Sequence, residues 1–121
     1  MEILSFRLGA EEYGVEISAV REVRPHAKAS PFPVVDLRQR LRIAASAERP
    51  ASAMIVLALS AGPLAILVDQ VSDMLRLGAS EMHLAAGLDG RTSGDLIQGF
   101  ASRGERMVIV LRAEKLAAQA A

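Results

Sequence analysis

Met54-Ile55-Val56-Leu57-Ala58-Leu59, then Ser60-Ala61-Gly62-Pro63, then Leu64-Ala65-Ile66-Leu67-Val68, is the stretch whose reading decides the fold. Two uninterrupted apolar runs of strand length flank a short segment of turn residues, which reads as a β-hairpin. Neither strand carries a polar residue on either face, so both faces are expected to be covered. The second strand is expected to continue through Val71 and Met74 to Leu77.

Outward from this hairpin the chain repeats the same grammar. Leu4, Phe6 and Leu8 alternate with Ser5 and Arg7, a period of two that marks a half-buried strand. Gly9 to Glu12 supplies a turn, and Tyr13, Val15 and Ile17 alternate with Gly14 and Glu16 in a second strand. At Ile17 the period changes. Ile17, Val20 and Val23 lie at i, i+3 and i+6, with Ser18 as a cap and Pro25 as a stop, which predicts a short helix with Arg21, Glu22 and Arg24 outside. Three of the five prolines fall in residues 25–33, an irregular connection into a short strand Pro33-Val34-Val35-Asp36-Leu37. Residues 43–52 read as an Ala- and Ser-rich linker or surface loop, and 87–94 as a mobile loop or hairpin tip. Leu96–Phe100 and Met107–Leu111 are the closing strands, and residues 113–120 form a terminal helix favoured by alanine. Regular short strands with turns between them predict an all-β, barrel-type architecture with small helices, in a single domain over residues 1–121.

Composition narrows the function. Hydrophobic residues make up 51% of the 121, enough to build a core and to exclude disorder. Fourteen basic residues cancel fourteen acidic ones, so the basic excess of a nucleic-acid binder is missing, and one Tyr with three Phe offers few stacking platforms. The chain has no cysteine, which excludes disulfides and thiolate metal sites. No apolar run reaches the roughly twenty residues of a membrane span, and the first residues lack the pattern of a signal peptide. A cytoplasmic protein without direct membrane insertion is the expectation.

The search for chemistry yields little. His26 and His83 lie in unrelated loops and read as surface histidines. No nucleophile elbow accompanies any serine, and no metal or cofactor site is expected. Asp36, Asp69, Asp73 and Asp95 lie near strand ends, where carboxylates ordinarily accept backbone N–H bonds; an acid–base pair using Asp36 or Asp69 is the enzymatic alternative. Asp89 to Asp95 lacks both the Gly-Lys-Ser/Thr ending of a P-loop and the ligand spacing of an EF-hand. Surfaces remain. Ile17, Val20 and Val23, with Glu22 beside them, suit either a core-facing or a partner-facing stripe, and spacing leaves both readings open.

Several segments together resemble the CheW-like family of chemotaxis coupling proteins. They are Leu4-Ser-Phe-Arg-Leu-Gly9, Glu12-Tyr-Gly-Val-Glu-Ile17, Val20-Arg-Glu-Val23, Pro33-Val-Val-Asp-Leu-Arg38, Gly62 to Val71 with its V-D-x-V ending, Leu96-Ile-Gln-Gly99, and Met107 to Leu111 followed by Glu114-Lys-Leu116. The resemblance implies two small SH3-like barrels side by side with a groove between them, and a non-enzymatic adaptor. Its implied partners are the regulatory domain of a CheA-like histidine kinase and the cytoplasmic tip of a chemoreceptor, a helical hairpin received at the groove. Ile17, Val20, Glu22 and Val23 are the expected receptor contacts, with Ile55 and Val56 on the facing strand as further candidates for the same groove.

The resemblance has one gap. Family members carry a segment with N-L-R-G and a strand before P-V-V-D-L-R, and here only eleven positions separate Glu22 from Pro33. The first barrel is expected to lack that strand, and Glu22 to lose the arginine it would pair with. A shortened barrel has three outcomes: closure with fewer strands, pairing of the opened edge with a second copy as a homodimer, or partial unfolding. Our expectation is that the fold survives and self-association increases. A degenerate relative that self-associates or binds one partner only, as a modulator of signalling arrays, is the alternative function.

Overall fold

The computed structural model describes residues 1–25, 31–41, 53–84 and 96–117. Residues 43–52 and 87–94, read as loops, lie outside the described residues, as do His26 and Asp95. Among the described residues, ten strands form two sheets. β1 (Glu2–Leu8), β2 (Glu11–Glu16), β7 (Gln70–Arg76), β8 (Met82–Leu84), β9 (Ile97–Arg103) and β10 (Arg106–Leu111) make a six-stranded sheet in the order β7-β1-β2-β10-β9-β8. β3 (Val20–Pro25), β4 (Val34–Asp36), β5 (Ala53–Leu59) and β6 (Gly62–Val68) make a four-stranded one in the order β3-β5-β6-β4. The helices are short: α1 (Leu37–Arg40) and α2 (Ala113–Ala117).

The 54–68 hairpin forms as expected, with β5 and β6 antiparallel from Ala53↔Val68 to Leu59↔Gly62. Gly62 at its turn has φ of 122°, a conformation that side chains rarely adopt. Both faces of these strands are covered. Ile55, Leu57, Leu59, Leu64, Ile66 and Val68 face the six-stranded sheet, where Leu4, Phe6, Leu8, Tyr13, Val15 and Leu111 meet them in one large core. Met54, Val56 and Ala65 face the other way, against Phe32 and Leu67.

β1 is buried more fully than its alternation suggests. Leu4, Phe6 and Leu8 enter the core between the sheets, while Ile3 points to a second cluster with Leu75, Leu77, Ala101, Val108 and Val110. The six-stranded sheet curls around that second cluster. Glu81 and Arg103 hold the curl: Arg103 donates to both Glu81 carboxylate oxygens at 2.8 and 3.0 Å and to the Arg76 carbonyl, which joins β9 to the end of β7. Arg103 and the Gly78 N–H together hold the Glu81 carboxyl down at about 2. Gly14 sits where β1, β2 and β10 converge. A Cβ there would lie 2.8 Å from Ile3 Cδ1 and 3.2 Å from Val108 Cγ1, so any larger residue would force the buried Ile3 side chain to shift.

The expected helix over residues 17–24 is a correction. Ile17–Ala19 makes one 3₁₀ turn, and Val20–Pro25 is a strand paired with β5. A β-bulge at Arg21 explains the misleading spacing. Val20 pairs with Leu57 and Val23 with Ile55, so the extra residue places two valines three apart on one face of a strand. β-branched residues favour the pleated conformation once a neighbouring strand is available.

The sheets do not divide the chain into an N-terminal and a C-terminal half. The first hairpin, β1–β2, joins the last strands through the parallel pair β2–β10, and the four-stranded sheet is built from the middle of the chain. That sheet contains the Pro33-Val-Val-Asp strand and is the smaller one. Among the described residues its outer strands, β3 and β4, have no further neighbour.

Candidate functional site

At the junction of the two sheets lies a groove of about 610 Å³. Ser18 and Ala19 of the 3₁₀ turn, Ala58 of β5, Gln98 of β9 and Arg112 to Lys115 at the start of α2 line it, with Glu16. A smaller depression of about 290 Å³ is lined by Met1, Glu2, Glu16, Ile17 and Ser18. Both hollows share Glu16 and Ser18, so the 3₁₀ turn forms a ridge between them.

The groove is framed by contacts that join the sheets. Glu114 accepts the Ser60 N–H at 3.1 Å and the Ser60 hydroxyl at 2.6 Å, which ties α2 to the β5–β6 turn. Leu116 of the same helix is fully buried in the core between the sheets. The Arg112 N–H donates to the Leu96 carbonyl at 2.7 Å, and Gln98 reaches Glu16 at 3.5 Å. The walls are therefore tied to one another by contacts between separate elements.

Of the residues expected to meet a partner, the structure brings some to this surface and withdraws others. Ile17 is half-buried on the ridge and lines the smaller depression. Val20 is half-buried against the main core. Glu22 and Val23 are exposed on β3, Val23 by 47%, and neither lines the groove. Glu22 pairs with Arg24 of its own strand at 3.9 Å. Ile55 and Val56 require correction as surface candidates: both are fully buried, on opposite faces of β5, and offer nothing to a partner. Glu16, Ser18, Gln98 and Glu114 line the groove instead. Their only sequence signal was polarity, because they come from three distant segments.

The aspartates weighed for catalysis are structural. Asp36 caps α1 by accepting the Arg38 N–H at 3.1 Å, and Arg38, buried, reaches Asp36 and Asp69 at 3.4 Å each. Asp69 also accepts the Gly9 N–H at 2.7 Å, and its own N–H donates to the Arg7 carbonyl. Arg38 thus links the strand β4 to the corner between β6 and β7, and Asp69 ties that corner to the end of β1.

A second polar cluster lies on the six-stranded sheet. Arg106 donates to Glu12 at 2.5 and 2.9 Å and to Asp73 at 2.6 Å, and the buried Ser5 hydroxyl donates to Asp73 at 2.8 Å. The Arg106 guanidinium holds the Glu12 and Asp73 carboxyls below their usual range, and they in turn push Arg106 up. Carboxylates with depressed folded values stabilise the fold above their unfolded range, and that contribution fades as pH falls through the folded values. Wild-type stability should therefore drop from about pH 5 downward. Arg106→Gln should cost about 1–2 kcal/mol at neutral pH, because one partner is half-exposed, and should flatten this acid dependence. Urea unfolding across pH checks it; an unchanged slope would exclude the cluster as the source.

Among the described residues no group of three His, Cys, Asp or Glu is placed to hold a metal, and no helix is long and apolar enough to cross a membrane. The exposed His83 ring stacks on Phe100 at 5.2 Å and contacts Ser102, as a surface histidine does.

Comparison with known proteins follows the same lines. A family model described as the CheW-like domain matches residues 30–121. The chain is similar to the chemotaxis protein CheW of Klebsiella aerogenes, 29% identical over 133 residues, covering 95% of this chain and 80% of that one. That aligned length exceeds the 121 residues present here, so the relative carries positions without a counterpart in this chain. It is also 31% identical over 100 residues to the chemotaxis protein CheW of Rhizobium meliloti, covering 68% of this chain and 64% of that one. Among solved structures it matches the scaffolding protein TtCheW from Thermoanaerobacter tengcongensis with a TM-score of 0.78 at 20% identity, covering 95% and 90% of the two chains. That match supports the two-sheet fold.

Proposed function

Because the chain belongs to the CheW-like domain family, we propose that it is a non-enzymatic adaptor of chemotaxis-type signalling that couples a chemoreceptor to a CheA-like histidine kinase in the cytoplasm. The observation that carries this reading is the groove at the sheet junction, framed by contacts that join the two sheets. The receptor's cytoplasmic tip, a helical hairpin, docks along the 3₁₀ ridge and the adjoining edge of β3. Ile17 and Val20 supply the half-buried apolar floor, and Glu22 and Val23 the exposed contacts. A few such anchors ordinarily carry most of the energy of helix-in-groove recognition. The kinase regulatory domain takes a separate surface, and the outer strands of the smaller sheet add a second copy of this chain to the partner list.

Titration of the purified protein against a receptor-tip fragment and a kinase regulatory domain tests the reading. Both should bind, and both at once. Val23→Asp places a charge on an exposed site, so it should weaken receptor binding at least tenfold, about 1.4 kcal/mol, with unchanged circular dichroism. Full receptor affinity in that variant would remove β3 from the site.

A further inference from the structure

We infer that the outer edge of β3 pairs with β3 of a second copy, antiparallel and centred on Val23, and that this homodimer excludes the receptor from the same edge. The exclusion rests on the docking site proposed above; the pairing does not. An edge strand presents a row of backbone N–H and C=O groups ready to template another strand, and among the described residues β3 has a neighbour on one side only, β5. The sequence of the edge is Val20-Arg21-Glu22-Val23-Arg24-Pro25. It is complementary to itself in one register. With the twofold axis at Val23, Val23 faces its copy, and each Glu22 faces the Arg24 of the other chain. Centring on Glu22 sets carboxylate against carboxylate, and centring on Arg24 sets guanidinium against guanidinium. A shift of one position, with Glu22 facing Val23, sets Arg21 against Arg24.

Directly opposed residues of an antiparallel pair lie about 4.5–5.5 Å apart at Cβ, so the charge pattern selects among these registers. The groups are available for it. Val23 is 47% exposed, and the Glu22 and Arg24 side chains, 45% and 42% exposed, meet each other only at 3.9 Å within one chain. The other edge of the smaller sheet, β4, is three residues long against the six of β3, which leaves it fewer groups to pair.

The test is a charge exchange read by analytical ultracentrifugation of the full chain at micromolar concentrations. Wild type should show a reversible monomer–dimer equilibrium. Glu22→Arg alone and Arg24→Glu alone should each weaken it at least tenfold, with circular dichroism unchanged. An equimolar mixture of the two variants should restore dimers, because the heterodimer regains both opposite-charge pairs. A monomeric wild type, or a mixture no more dimeric than either variant alone, overturns the pairing. Adding receptor-tip fragment to wild-type dimers should then release monomers; a fragment that binds dimers intact overturns the exclusion. A fragment that fails to bind at all removes the receptor reading and the exclusion with it, while the charge exchange still decides the pairing.

Discussion

Arg38→Met is expected to lower the stability of this protein by about 3–5 kcal/mol, the usual cost of removing one partner from a buried ion cluster. The Arg38 side chain is 10% exposed and stands between Asp36 and Asp69, whose side chains are 22% and 13% exposed. Without the guanidinium, two carboxylates of like charge are left close together in a poorly solvated site. Asp69 is further fixed by the Gly9 N–H at 2.7 Å, so it cannot readily swing out to water. Asp69→Asn keeps an acceptor for Gly9 and removes one charge, so it should cost less, about 1–3 kcal/mol. Urea unfolding of the two variants and of the double variant measures both effects. A loss below about 1 kcal/mol for Arg38→Met would mean that the arginine is a surface group and not the link between the sheets.

These residues also show what the sequence made legible. The 54–68 hairpin was readable because an apolar run of strand length permits few other structures, although its turn is tighter than the Ser60–Pro63 segment suggested, with Gly62 and Pro63 already paired in β6. Pro33 to Arg38 could be seen as a strand, but nothing in its spacing revealed that its Asp and Arg meet an aspartate some thirty positions away. Long-range partners leave no local period. The 17–23 segment was misread for a sharper reason: a bulge at Arg21 gives a strand the apolar spacing of a helix. Strand composition was legible, strand order was not, since the parallel pair β2–β10 joins segments with no turn between them. The groove was the least legible part. Glu16, Ser18, Gln98 and Glu114 converge only after both sheets have formed.

Ile55 decides between a core and a contact reading of β5, and Ile55→Ala is expected to cost about 2–5 kcal/mol. The residue is fully buried and packs in the core that both sheets share, between Val23 on β3 and Ile66 on β6 in register. Truncation removes three carbons from a site enclosed by strands on both sides, and paired strands cannot collapse inward to fill the space. The loss should therefore lie in the upper part of that range if the sheets are rigid there, and in the lower part if Val20 and Val35, both only half-buried, move in. Receptor affinity of the folded protein should be unchanged, the reverse of the pattern expected for Val23→Asp. Denaturation and binding measured on the same two variants separate the roles: Ile55 governs whether the sheets stay together, and Val23, its register partner on the adjacent strand, governs what they meet. An Ile55→Ala protein that keeps full stability but loses the receptor would place β5 at the surface and reverse the packing of the smaller sheet.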